Sequence, residues 1–112
     1  MAPISQPDRI YYVSHKSICK LYNESQYPDM VARKLLRKRY IANDHLRHKQ
    51  RDKVNEPRCT RSQKIRYYKG RQWVVEVHQY KRRDGTIGAS GKPDPKRLRI
   101  GNKIYILDID YG

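Results

Sequence analysis

The chain contains no phenylalanine and only one tryptophan, and its two cysteines, Cys19 and Cys59, stand forty residues apart with no CxxC pair. No standard zinc module is spelled out and no disulfide framework is expected, so the thiols read as reduced. Long apolar runs are also missing, as is a signal-type hydrophobic segment or a strongly amphipathic Trp/Leu-rich face. A spanning or surface-lying membrane segment is therefore not expected, and the reading is of an intracellular, cytoplasmic protein. Acid is scarce: 11 Asp and Glu stand against 26 Lys and Arg, a formal net charge of +15. That imbalance repels itself in a compact chain, and its common physical use is to neutralise phosphates and release their counterions.

What is present fits a thin core. Hydrophobic residues make up 37% of 112 residues, mean hydropathy is -1.06, and the length suits a single domain over residues 1–112. The ten tyrosines offer apolar rings with polar tips, suited equally to a shallow core and to stacking on bases.

Residues 1–8, with Pro3 and Pro7, read as an extended lead-in. Arg9–Val13 reads as a short strand, and Ser14 as the cap of a helix carrying Ile18, Leu21 and Tyr22. A long helix is predicted from Pro28 to about Lys53, with Pro28 at its first position, Asp29 at its positive end and no internal glycine or proline. At roughly 100° per residue, Val31, Ala32, Leu35, Leu36, Ala42 and Leu46 fall in one arc, with Arg33, Lys34, Arg37, His48 and Arg51 behind it. Arg39 interrupts the arc, and Asn43-Asp44 marks a place to break. Beyond Pro57 the pattern turns to strands: Lys64–Tyr68, a turn at Lys69-Gly70, then Gln72–Lys81 with Trp73, Val75 and Val77 on one face. A Gly/Pro-rich loop over 83–96 follows, and then a hairpin of Arg97–Ile100 and Lys103–Ile109 around Gly101-Asn102. The expected fold is α+β: a mainly helical half over 9–56, with one long basic amphipathic helix, packed on a small antiparallel sheet of three to four strands over 57–112.

Three cationic segments point to phosphate. The first is the basic helix, with Arg33, Lys34, Arg37, Lys38, Arg47 and Arg51; an ordinary solvated face would mix in glutamate at i,i+4, and here that pairing is nearly absent. The second, Arg58 to Arg71, interleaves Arg58, Arg61, Lys64, Arg66, Lys69 and Arg71 with Tyr67 and Tyr68, placing charge for a backbone beside rings for bases. Trp73, sharing a face with Val75 and Val77, is assigned to the core. The third is the loop, with Arg82, Arg83, Lys92, Lys96 and Arg97 around Gly85, Gly88 and Gly91, whose free backbone N–H groups would cradle a phosphate. ATP or GTP binding is rejected, because Pro93 follows Gly91-Lys92 where Ser or Thr is needed.

The reading is of a nucleic-acid-binding protein, of RNA, DNA or a ribonucleoprotein, that grips the phosphate backbone; no cofactor or metal is expected. Two alternatives stand beside it. One is a small metal-independent ribonuclease of toxin type, using Glu76, His78 and Arg82 as base, acid and charge stabiliser. The other is a phage or mobile-element protein that docks on and modulates a nucleic-acid enzyme. For metal, His15 and Cys19 lie four apart and His45 and His48 three apart, but uncoordinated side chains explain both pairs more simply.

Overall fold

The computed structural model describes residues 9–108; the lead-in over 1–8 and Ile109 lie outside the described residues. Six strands form one sheet: β1 (Arg9–Val13), β2 (Arg37–His45), β3 (Arg61–Lys69), β4 (Gln72–Lys81), β5 (Asp94–Ile100) and β6 (Lys103–Leu107). Their order across the sheet is β1-β6-β5-β4-β3-β2. From β1 at one edge the chain crosses to the other through helices α1 (His15–Glu24) and α2 (Tyr27–Ala32). It then returns as a five-strand antiparallel meander, until β6 closes against β1 in parallel. Helix α3 (His48–Val54) interrupts the meander between β2 and β3.

This architecture corrects the expected one. The N-terminal half is not mainly helical, and no long helix runs from Pro28 to Lys53. The sheet has six strands rather than three or four, and it is mixed rather than antiparallel. The predicted helix divides into α2, strand β2 and α3. Its first part ends because Lys34 adopts a left-handed backbone (φ 57). There Lys34 N–H bonds Val31 O at 3.1 Å and Leu35 N–H bonds Met30 O at 2.9 Å. That pair of bonds closes a helix end in the manner usually given to glycine. Beyond it, Tyr40-Ile41 favour a pleated surface and Asn43-Asp44 are poor helix formers. The alternation Arg37, Arg39 against Lys38, Tyr40 is what pairs with β3. A lysine in the left-handed region is strained by roughly 1 kcal/mol, so Lys34→Gly should raise stability by about that amount in urea denaturation; no gain would mean that this helix stop is unstrained.

Local signals elsewhere hold. Ser14 caps α1, its Oγ accepting from Ser17 N–H at 3.2 Å. The β3–β4 and β5–β6 turns place Gly70 (φ 62) and Gly101 (φ 58) at the first central position of two-residue loops, where positive φ is required.

The core lies on one face of the sheet only. Ile65 and Tyr67 of β3, Val75 and Val77 of β4, and Leu98 of β5 meet Ile18 of α1 and the inter-element Leu36, with Tyr22, Met30 and Val31 against them. Cross-strand register places Tyr67 opposite Val75, Val75 opposite Leu98, and Leu98 opposite Tyr105, so one apolar row crosses four strands. A chain this poor in apolar side chains packs α1 and α2 on one sheet face, and among the described residues the opposite, open face is bordered by helix only where Gln50, Lys53 and Val54 of α3 stand beside Ser62 and Tyr80. No helix among the described residues is long and apolar enough to cross a membrane.

Candidate nucleic-acid interface

Alternation along each strand sends the remaining side chains to the open face. One row runs through the whole sheet: Arg39, Arg66, Glu76, Arg97, Ile106 and Tyr12 stand opposite one another from β2 to β1. A neighbouring row carries Ala42, Lys64 and His78, and another Arg37, Tyr68 and Trp73. The β6–β1 side of this face is apolar, with Ile104 and Ile106 beside the exposed Ile10 and Tyr12. The β2–β5 side is cationic and aromatic.

A bulge puts Trp73 there. The β3–β4 register passes from Tyr67↔Val75 to Tyr68↔Trp73, so Val74 is an extra residue. Val74 and Val75 both enter the core, and Trp73 turns to join Tyr68. The expectation that Trp73 shares the face of Val75 and Val77 is thereby corrected. Arg99 stacks over the Trp73 ring at 5.1 Å and Arg37 over Tyr68 at 4.8 Å. The Gln72 amide, with its oxygen toward Arg99, accepts from that guanidinium at 2.7 and 2.9 Å.

Glu76 sits buried at the centre of this cationic field. Arg66 donates to its Oε1 from Nη2 at 2.7 Å and from Nε at 3.1 Å, and Arg97 Nε lies 3.7 Å from Oε2. The Glu76 hydrogen bond is the main cause holding the Arg66 guanidinium pKa above its ordinary value. Without this carboxylate, Arg39, Arg66 and Arg97 would form a row of like charges across β2, β3 and β5.

His78 is held differently. Its Nε2 lies 2.8 Å from Ser62 Oγ, and its ring packs edge-on against Tyr80 with centroids 4.7 Å apart. Burial chiefly, with Lys96 and Lys64 adding to it against Asp94, pushes its pKa below the ordinary 6.5. The folded state therefore favours neutral His78, and the unfolded chain takes up a proton first as pH falls. Stability from this group is complete above about pH 6.5 and is lost as pH drops below it. His78→Gln should flatten the stability profile over that acidic range in urea melts at stepped pH; an unchanged profile would assign the dependence to other groups.

The ribonuclease constellation is not assembled as a unit. Glu76 and His78 do share the open face, but Glu76 is clamped by two arginines. Arg82 is engaged elsewhere: its Nε and Nη2 donate to Glu56 Oε1 and Oε2 at 3.0 and 3.1 Å. The glycine-rich connection begins at Arg82 and ends where β5 starts at Asp94. Its glycine N–H groups are used internally rather than left free for phosphate. Gly85 N–H bonds Arg82 O, Gly88 N–H bonds Tyr80 O and Gly91 N–H bonds Gly88 O, at 2.9, 2.7 and 3.0 Å. Asp84 Oδ1 accepts from Thr86 N–H and Oγ1, which tightens the turn.

Of the residues singled out from sequence, Arg37, Lys64, Arg66, Tyr68 and Arg97 come together on the open face. Tyr67 does not: it is buried in the core, and Lys38 stands opposite it on the helix-covered face. Arg33 pairs with Asp29 on α2 and Lys34 ends that helix. Arg47 and Arg51 belong to the start and body of α3, Arg58 to the exposed turn before β3, and Arg61 to the first position of β3. Lys69 ends β3 and Arg71 lies in the β3–β4 turn, Arg83 and Lys92 lie exposed on the β4–β5 connection, and Lys96 is the extra residue of a β5 bulge. Sequence reasoning missed Arg39, Arg99, Tyr12 and the outward turn of Trp73. Strict alternation would have found Arg39 once β2 was read as a strand; the Trp73 bulge leaves no comparable signal.

Comparison with protein-family models, curated proteins and solved structures finds no match to this chain.

Proposed function

We propose that the protein binds single-stranded nucleic acid across the open face of its sheet. The observation that carries this reading is the juxtaposition, on the sheet face opposite α1 and α2, of Arg37, Arg39, Lys64, Arg97 and Arg99 with Tyr68 and Trp73. Cations beside rings supply contacts for both the phosphates and the bases of an unpaired strand. The face favours a single strand over a duplex for a geometric reason. A duplex major groove admits a helix or a two-stranded ribbon, whereas a six-stranded platform is too broad to enter it. Base faces are available to Tyr68 and Trp73 only where bases are unstacked.

The mechanism is electrostatic capture followed by stacking. Arg66 is committed to Glu76 by hydrogen bonds, whereas Arg97, half exposed and 3.7 Å from the same carboxylate, still faces solvent, so the five cations named above can meet phosphates. Each phosphate neutralised on a single strand contributes about −0.7 to the slope of log affinity against log salt, so five contacts give a slope of about −3.5. Fluorescence anisotropy with short unpaired RNA and DNA oligonucleotides across a salt titration checks this. A slope near zero, or equal affinity for duplex and single strand, would overturn the reading.

A further inference from the structure

We propose that His15, Cys19 and Asp94 form a binding site for a divalent transition-metal cation of the zinc class. The site lies between α1 and the first residue of β5, and its test is independent of nucleic-acid binding.

The case begins with spacing. His15 and Cys19 are four apart on α1, which places them one above the other on a single helix face. Asp94 is 75 residues further along, at the first position of β5, the strand on which α1 packs. The fold alone brings the three together. Cys19 Sγ lies 3.5 Å from His15 Nε2, and His15 Nε2 lies 3.7 Å from Asp94 Oδ1. All three ligand atoms fall within 4.8 Å of one another. A tetrahedral ion bound at about 2.3 Å from sulfur and about 2.0–2.2 Å from nitrogen and oxygen requires ligand-to-ligand edges of roughly 3.3–3.6 Å. Both separations from His15 are close to those edges, and the third, between Cys19 and Asp94, lies within 4.8 Å, so closing the triangle calls for side-chain adjustment rather than movement of the elements.

The donor set then selects the ion. One imidazole nitrogen, one thiolate and one carboxylate suit zinc and its neighbours, whereas magnesium and calcium prefer sites built of oxygen alone. Thiolate and carboxylate together carry the charge that balances a dication. Three protein ligands leave one tetrahedral position open for water or a further ligand. A bound cation takes the Cys19 side chain as thiolate, so binding releases its proton and affinity rises with pH. Occupied, the site would tie the start of α1 to the start of β5 and restrain the end of the glycine-rich connection.

Cobalt(II) titration of the reduced, metal-free full chain tests this directly. The expected result is a near-ultraviolet thiolate-to-cobalt charge-transfer band that saturates at one cobalt per chain and is displaced by zinc. Cys19→Ser should abolish the band, and Asp94→Asn should weaken cobalt affinity by more than about tenfold, a loss that outer-shell changes alone already reach. Cys59→Ser should leave band and affinity unchanged, and far-ultraviolet circular dichroism checks that each variant is folded. Zinc should also raise the thermal midpoint of the wild type in a concentration-dependent way that a chelator reverses. Absence of the band from wild-type protein, or its survival in Cys19→Ser with loss in Cys59→Ser, would overturn the proposal.

Discussion

Replacing Tyr68 and Trp73 together with alanine is expected to weaken single-strand binding by at least about 30-fold while leaving the salt slope unchanged. Stacking of one base on an aromatic ring contributes about 1–3 kcal/mol, and tenfold in affinity corresponds to about 1.4 kcal/mol. Two rings at the low end of that range give the figure. The slope is the discriminating readout, because it counts phosphates and not bases. Arg97→Ala should behave in the opposite sense, with a slope shallower by about 0.7 and a smaller loss of affinity. Tyr67→Phe is the matched control: Tyr67 neighbours Tyr68 in sequence but is buried on the other face of β3, so binding should not change. Trp73 is the sole tryptophan, and its fluorescence should be quenched on binding. A double variant that binds as tightly as wild type would remove the rings from the interface. A slope that fell with the rings would mean that they act through the arginines stacked on them.

The second large effect concerns the connection between β4 and β5. Gly88→Ala is expected to destabilise the fold by about 1–3 kcal/mol, the usual range for forcing atoms into packed space. A Cβ at Gly88 would stand 1.8 Å from Glu56 Oε1 and 2.5 Å from Glu56 Cδ. The Glu56 side chain is 1% exposed and bonded to Arg82, so it can move aside only by loosening that pairing. Either the carboxylate leaves Arg82 or the connection lifts away from the sheet. The double variant Gly88→Ala/Glu56→Ala separates these causes, since removing the carboxylate relieves the contact and the two substitutions should be strongly non-additive. Gly85→Ala is a useful comparison: its site is open, and only its positive φ of 91 is strained. Urea denaturation reads all three variants. A Gly88→Ala protein within about 0.5 kcal/mol of wild type would show that the Glu56–Arg82 clasp does not hold this connection in place.

The clasp also accounts for the difference between the phosphate cradle expected from composition and the connection observed. Glycine frequency signals backbone freedom, but it does not say where the N–H groups go. Here they are spent on Arg82, Tyr80 and Gly88 carbonyls, and Gly88 is needed because Glu56 lies against it. Glu56 reaches that position only because Asn55 adopts a left-handed backbone (φ 56) after α3 and turns the chain inward.

Features determined by short-range chemistry were legible in the residues themselves. Strand β1, the Ser14-capped helix α1, the β3–β4 hairpin and the Gly101 turn each depend on cap or turn residues a few positions apart. The basic character of the surface was legible too, because charge needs no fold to be counted. The predicted long helix failed where its apolar arc was a coincidence of spacing: Leu36 enters the core from between elements, Leu35 is 55% exposed, and Ala42 belongs to a strand. What only the tertiary structure decided lies at long range. The parallel pairing of β1 with β6 joins segments more than ninety residues apart, the Arg66–Glu76–Arg97 clamp needs three strands in register, and His15 meets Asp94 only across α1 and β5. Local propensity cannot encode these meetings, because each depends on which face of the sheet the scarce apolar side chains cover. Once Ile65, Tyr67, Val75, Val77 and Leu98 take the helix-covered face, strand alternation leaves the arginines and Glu76 on the face that stays open.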